Sequence, residues 1–142
     1  MNFSYSFPAL RGIQAGREFY TVMCPLRLIP KIFLFDEEEI PVEHRAQRVM
    51  NKSRIPDITN YILENPKDYI FSSLTASVDG EMIFQEHSKE LKDIGYLSIS
   101  LDSKFLINDG QHRRAAIEEA LKIAPELGEE TISVVFFHDL GL

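Results

Sequence analysis

Leu97–Leu121, LSISLDSKFLINDGQHRRAAIEEAL, decides how the chain is read. Leu97, Ile99 and Leu101 alternate with polar residues, as along a half-buried strand. Asp102-Ser103-Lys104 supplies a turn, and Phe105-Leu106-Ile107 resumes the apolar run. Arg113 to Leu121 is rich in arginine, alanine and glutamate, a helical composition. Strand, short polar loop and helix therefore meet at Asp109-Gly110-Gln111-His112-Arg113. The first amides of a helix have no acceptor within it, and the helix dipole adds partial positive charge there. A glycine lets a ligand approach the backbone, and His112, Arg113 and Arg114 crowd the first turn. The expectation is a seat for phosphate or another anion. Asp109 cuts against it, because a carboxylate repels phosphate. It can instead act as an N-cap or hold the arginines in position. The bland alternative is an Asp-Gly turn that only caps a helix.

Asp109-Gly110-Gln111-His112-Arg113, continued by Arg114-Ala115-Ala116-Ile117, resembles the signature of the DGQHR-domain family. The wider chain is similar to the N-terminal part of its DndB members, which are associated with bacterial DNA phosphorothioation. The stretches carrying the likeness are Gly12–Tyr20, Arg45–Arg48, Arg54–Ile62 and Tyr69–Thr75. The resemblance implies a ParB/sulfiredoxin-like α+β fold, a mixed sheet with helices packed on it and the DGQHR loop at its centre. By that likeness Gly110, His112 and Arg113 fall on phosphate-contacting positions. Gln111 stands where sulfiredoxin has its cysteine, so no thiolate nucleophile is available for sulfinic-acid reduction.

The whole chain is expected to form a single domain, residues 1–142, and is long enough for a real core. Hydrophobic residues make up 44% and charged residues 26%, ordinary for a globular protein. No apolar run approaches membrane-spanning length, and the N-terminus lacks a secretory pattern. A single cysteine, Cys24, excludes an internal disulfide framework and a multi-cysteine zinc site, and suits a reducing cytoplasm. Cys24 itself reads as a buried small hydrophobe. The net charge of −7 weighs against nucleic acid unless basic residues cluster on one face. A buried-type strand, Thr131–Phe137, lies close to the end, which suggests the N-terminal part of a longer protein.

Earlier in the chain, Phe3, Tyr5 and Phe7 alternate in a strand that Pro8 is expected to end. Gly12 and Gly16 bracket a turn, Glu18–Met23 is a second strand, and Leu28–Ile32 is a short helix. Asp36–Glu39 is an acidic run, read as a solvated loop or helix start rather than a metal site. Two helices are expected between 42 and 64. Arg45, Arg48 and Lys52 share a face of the first, and Pro56 opens the second. This basic stripe, with Arg54, is either a nucleic-acid or phosphate-contacting surface or a solvated face paired with the acidic run, and the resemblance adds Gln47, Arg48 and Arg54 as part of the shared family pattern. Tyr69–Val78 reads as a strand and Asp79-Gly80 as the turn of a hairpin returning through Glu81–Phe84. Of the four histidines only His112 has a chemically suggestive setting, and no pair has zinc-protease spacing.

The resemblance implies two functions. The first is a repressor of DNA-modification genes that binds double-stranded DNA at their promoter, with a homo-oligomer possible and no membrane. There Asp109, Gly110, Gln111, His112, Arg113 and Arg114 form the contact, with Gln47, Arg48 and Arg54 along the backbone. The second is a nucleotide-binding switch, or a nucleoside triphosphate hydrolase using Mg²⁺, with the loop as phosphate cradle and His112 positioning a water. The reading favours a binding protein over an enzyme and assigns no catalytic residue, certain cofactor or metal. A plain interaction module is the third option.

Overall fold

The computed structural model describes residues 3–33 and 54–141. Strands β1 (Ser4–Gln14), β2 (Arg17–Pro25), β3 (Leu74–Asp79), β4 (Met82–Glu86), β5 (Ile94–Ser100), β6 (Lys104–Asp109) and β7 (Thr131–His138) form one mixed sheet. Their order is β4-β5-β1-β2-β7-β3-β6. The β3–β7 pair is parallel and the other neighbours are antiparallel. Helices α1 (Ile29–Ile32), α2 (Arg54–Glu64) and α3 (Gln111–Ile123), with 3₁₀ turns at Leu26–Leu28 and Pro125–Glu129, pack on it. The α+β class expected from the sequence is what the chain adopts.

Chain connectivity forces the sheet to curl. β3 and β4 stand at nearly opposite ends of the strand order, as do β5 and β6. In a flat sheet those partners would be roughly 24 Å apart at ~4.8 Å per strand. Yet Asp79 is followed by Met82 after Gly80 and Glu81, a reach of only about 10 Å. Ser100 and Lys104 are joined by a similarly short link, about 14 Å when fully extended. The two sheet ends must therefore approach each other, and across the curl the Tyr5 ring of β1 meets the Phe105 ring of β6 edge-on, 6.3 Å between centroids. Asp79-Gly80 is accordingly not a hairpin turn: β3 pairs with β6 and β7, while β4 pairs with β5. The dipeptide turns the chain, but the partner strand comes from elsewhere.

Inward residues line the curl: Phe7 and Ala9 of β1, Val22 and Cys24 of β2, Leu97 and Ile99 of β5, Val134 and Phe136 of β7 are all buried. Phe33, just past α1, stacks on Phe136 at 6.1 Å and meets Phe105 edge-on at 5.7 Å. The helical layer thus closes the inner face. Pro8 does not end β1. The Arg11 amide donates toward β5, to Asp93 O, so by alternation the nitrogen of Pro8 faces the β2 side. There the ladder begins only at Ala9–Val22, and no ladder bond is lost. The first turn is tighter than the glycine spacing suggested. Gln14 pairs with Arg17, and Ala15 and Gly16 take positive φ values of 52° and 74°, a two-residue hairpin loop. Residues 69–73 belong to no strand or helix, and the strand expected from Tyr69 begins at Leu74.

Candidate functional site

β6 carries the chain to the DGQHR loop through an irregularity. Thr75 lies opposite Asp109 and Ala76 opposite Ile107, so Asn108 is an extra residue in β6. Such a bulge bends a strand and re-aims the residues beyond it. Asn108 is held by its side-chain amide, which donates to Ser77 Oγ at 2.8 Å. Asp109 comes next, with a side chain 76% exposed. Gly110 is the N-cap of α3 at φ +114°, a conformation L side chains rarely adopt. A Cβ at this position would lie 2.3 Å from Leu74 Cδ2 in the core. Glycine is therefore required on two counts. The first intrahelical bond runs from the Arg114 amide to Gly110 O at 2.9 Å. Gly110 brings no capping side chain, and Asp109 does not take the N-cap role.

The expected site residues divide by direction. Arg113 reaches back across the loop. One arm of its guanidinium donates to Ser72 Oγ at 2.6 Å, to Ser72 O and to Ser73 O at 3.2 Å. The other arm lies 3.6 Å from Asp109 Oδ1. Arg114 turns the opposite way and is buried. Its Nε donates to Phe33 O, Nη2 to Pro30 O at 3.3 Å, and Nη1 pairs with Glu118. Four residues make too short a helix to satisfy its own last carbonyls, and Arg114 serves those at the end of α1. The expectation that Arg114 joins the anion seat is thus corrected: helical geometry puts neighbouring side chains about 100° apart, and this one falls on the core side. Gln111 Nε2 donates back to Ile107 O at 3.4 Å and does not line the cleft outside the loop. Gln47 and Arg48, with Arg45 and Lys52 and the acidic run 36–39, lie outside the described residues.

That cleft has a volume of 710 Å³ and joins segments distant in sequence. Asp109, Gly110, His112 and Arg113 form one wall, Arg54, Asp57 and Tyr61 of α2 a second, and Ile70, Phe71 and Ser72 the third. Arg54, the residue expected outside the loop that lies among the described ones, lines this cleft. Tyr61, Ile70, Phe71 and Asp57 were not singled out from the sequence as site residues. None of them carried a distinguishing sequence signal, since Tyr69–Val78 read as a strand; in the structure Ile70 is 83% exposed. The wall is tied down: the Ile70 amide donates to Tyr61 Oη at 2.8 Å, and the Tyr69 hydroxyl donates to Glu130. Burial, then the Glu130 hydrogen bond, pushes the Tyr69 phenol up to about 12. Two arginines and two aspartates line the cleft, so their formal charges balance and it is not a long cationic track.

The family model for DndB, DNA-sulfur modification-associated, matches residues 7–142. The chain belongs to the DndB family. The match spans both the described sheet and the DGQHR loop, and it links the chain to the DNA sulfur modification system. No curated protein and no solved structure matches the chain. Among the described residues no helix is long and apolar enough to cross a membrane.

Proposed function

We propose that the chain is a DNA-binding regulator of the DNA sulfur modification system, acting as a repressor at the promoter of the modification genes. The observation that carries this reading is the convergence of Arg54 with Gly110, His112 and Arg113 on one cleft, although α2 and the loop are far apart in sequence. Cations held on a structured frame are what a phosphate contact needs, and family membership names DNA as the substrate of the associated system. The ParB/sulfiredoxin likeness of the loop belongs to the same proposal. Fluorescence anisotropy of the protein's own upstream duplex, over a range of salt concentrations, tests it. Arg54→Ala and Arg113→Ala are each expected to weaken binding and to lower the slope of log K against log salt by about one. Affinity and slope unchanged in both variants would refute the assignment.

A magnesium-dependent nucleotide switch or hydrolase draws support from one feature: Asp57 and Asp109 line the same cleft as the arginines. Mg²⁺ prefers one or two carboxylates plus phosphate oxygens, and these donors fit that demand. Titration calorimetry with ATP and CTP in magnesium, without DNA, decides it. Absence of heat removes this reading.

A further inference from the structure

We propose that the cleft between α2 and the DGQHR loop seats one unstacked nucleotide of the bound DNA. Its base would lie on the Tyr61–Ile70–Phe71 wall and its phosphate on the Arg54–Arg113 side. This rests on the DNA-binding reading above and deepens it by naming what enters the site. A surface that only tracks phosphates calls for cations and has no use for an apolar wall. Here Ile70 is 83% and Tyr61 39% exposed, beside Phe71, so an apolar and aromatic surface faces the same opening as the arginines. A volume of 710 Å³ is far more than a phosphate fills and falls within the ~300–1,000 Å³ of small-molecule sites. The rings of Tyr61 and Phe71 are 6.1 Å apart and tilted by 44°, so they form a wall for a base to lie against rather than a slot between parallel plates. The Tyr61–Ile70 and Arg113–Ser72 hydrogen bonds fix this wall before any ligand arrives.

Charge limits the occupant as well. Asp57 and Asp109 offset the arginines, which disfavours a run of phosphates but leaves acceptors for the exocyclic amino group of a base. Stacking on aromatic side chains is how proteins hold bases that have left the helix. Extruding a base from a matched duplex costs free energy, and much less where the base is already unpaired.

The test uses the full chain with three probes of the same sequence: a matched duplex, a duplex with a single-nucleotide bulge, and that bulge labelled with 2-aminopurine. The bulged duplex is expected to bind about tenfold more tightly than the matched one, the scale of one base–aromatic stack, with a change in 2-aminopurine emission. Ile70→Ser alters an exposed residue and so spares the core, and Tyr61→Leu removes a ring. Both should bring the affinity ratio toward one. Equal wild-type affinity for bulged and matched duplexes overturns the nucleotide seat and leaves the DNA-binding reading standing. Absence of binding to every DNA removes both. Binding of free ATP or CTP that Ile70→Ser weakens, without a bulge preference, also overturns the proposal, because the cleft then serves a free nucleotide.

Discussion

Arg114→Met separates a buried staple from a ligand contact. Methionine keeps much of the apolar stem and its packing while deleting the guanidinium. The lost interactions can be ranked. The Glu118 side chain is 38% exposed, so its carboxylate rehydrates when its partner goes, and that pair is worth no more than about 1 kcal/mol. The carbonyls of Phe33 and Pro30 lose charged donors at a site that is only 7% exposed. Hydrogen bonds to charged groups contribute ~1.5–3 kcal/mol each, and the partial exposure of Pro30 takes it to the low end. The expected loss is about 3 kcal/mol, or a fall in Tm of roughly 10 °C for a domain of this size. Arg114→Lys should lose most of the same amount, because one ammonium cannot reach three diverging acceptors. Glu118→Gln should lose no more than about 1 kcal/mol. Urea denaturation monitored by circular dichroism reads all three. If Arg114→Met unfolds at the wild-type midpoint yet loses DNA affinity, the guanidinium faces a ligand and the assignment of Arg114 to the interior is wrong.

Three other outcomes are expected. Gly110→Ala should cost about 2–4 kcal/mol by calorimetry, from a positive φ of 114° and a contact of 2.3 Å with Leu74, and an unperturbed melt would mean that the loop has another conformation. Alkaline titration should destabilise the fold. Burial raises the Cys24 thiol from 9.0 to about 12, and burial with the Glu130 hydrogen bond raises the Tyr69 phenol from 10.0 to about 12. The folded state keeps protons that the unfolded chain has released, so this stability is complete below pH 9 and is lost as the pH climbs toward 12; Tyr69→Phe should remove the upper part of that loss, and a flat profile would contradict it. Asp109→Asn should tighten DNA binding a few-fold in anisotropy, since the carboxylate lies 3.6 Å from Arg113 and is mostly exposed; weaker binding would make Asp109 part of the contact.

The strand–loop–helix unit was legible in the sequence because its signals are local: alternation, a turn dipeptide, then a helical composition. The pattern set a five-residue loop, Asp109–Arg113, before the helical run; β6 extends to Asp109 and the helix starts at Gln111, so Gly110 alone separates them. Strand pairing was not legible, because Asp79-Gly80 encodes a change of direction and not the identity of a partner. β4 pairs with the strand that follows it, β5, while the short link from β3 can be made only where the sheet curls, and the curl depends on contacts between residues far apart. The site shows the same split. The DGQHR residues announce themselves, but which of two adjacent arginines faces outward depends on helix phase relative to Phe33 and Pro30, which belong to another part of the chain. Pro8 misled for a related reason: whether a strand tolerates proline depends on where its neighbour's ladder begins.

The loop and the aromatic wall are parts of one device, and Arg113 joins them. Ser72 and Ser73 precede β3, whose first residue, Leu74, occupies the space that Gly110 leaves free. One arm of Arg113 holds the backbone of Ser72 and Ser73, and the other points at Asp109 across 3.6 Å, longer than a hydrogen bond. The first arm is committed to structure and the second is weakly engaged. On the proposed DNA-binding reading, a phosphate would take the second arm at small cost while the first keeps the Ile70–Phe71 wall in place. Recognition of charge and presentation of an apolar surface are then coupled through a single side chain, which lysine, with one ammonium in place of a fork, could not do at this position.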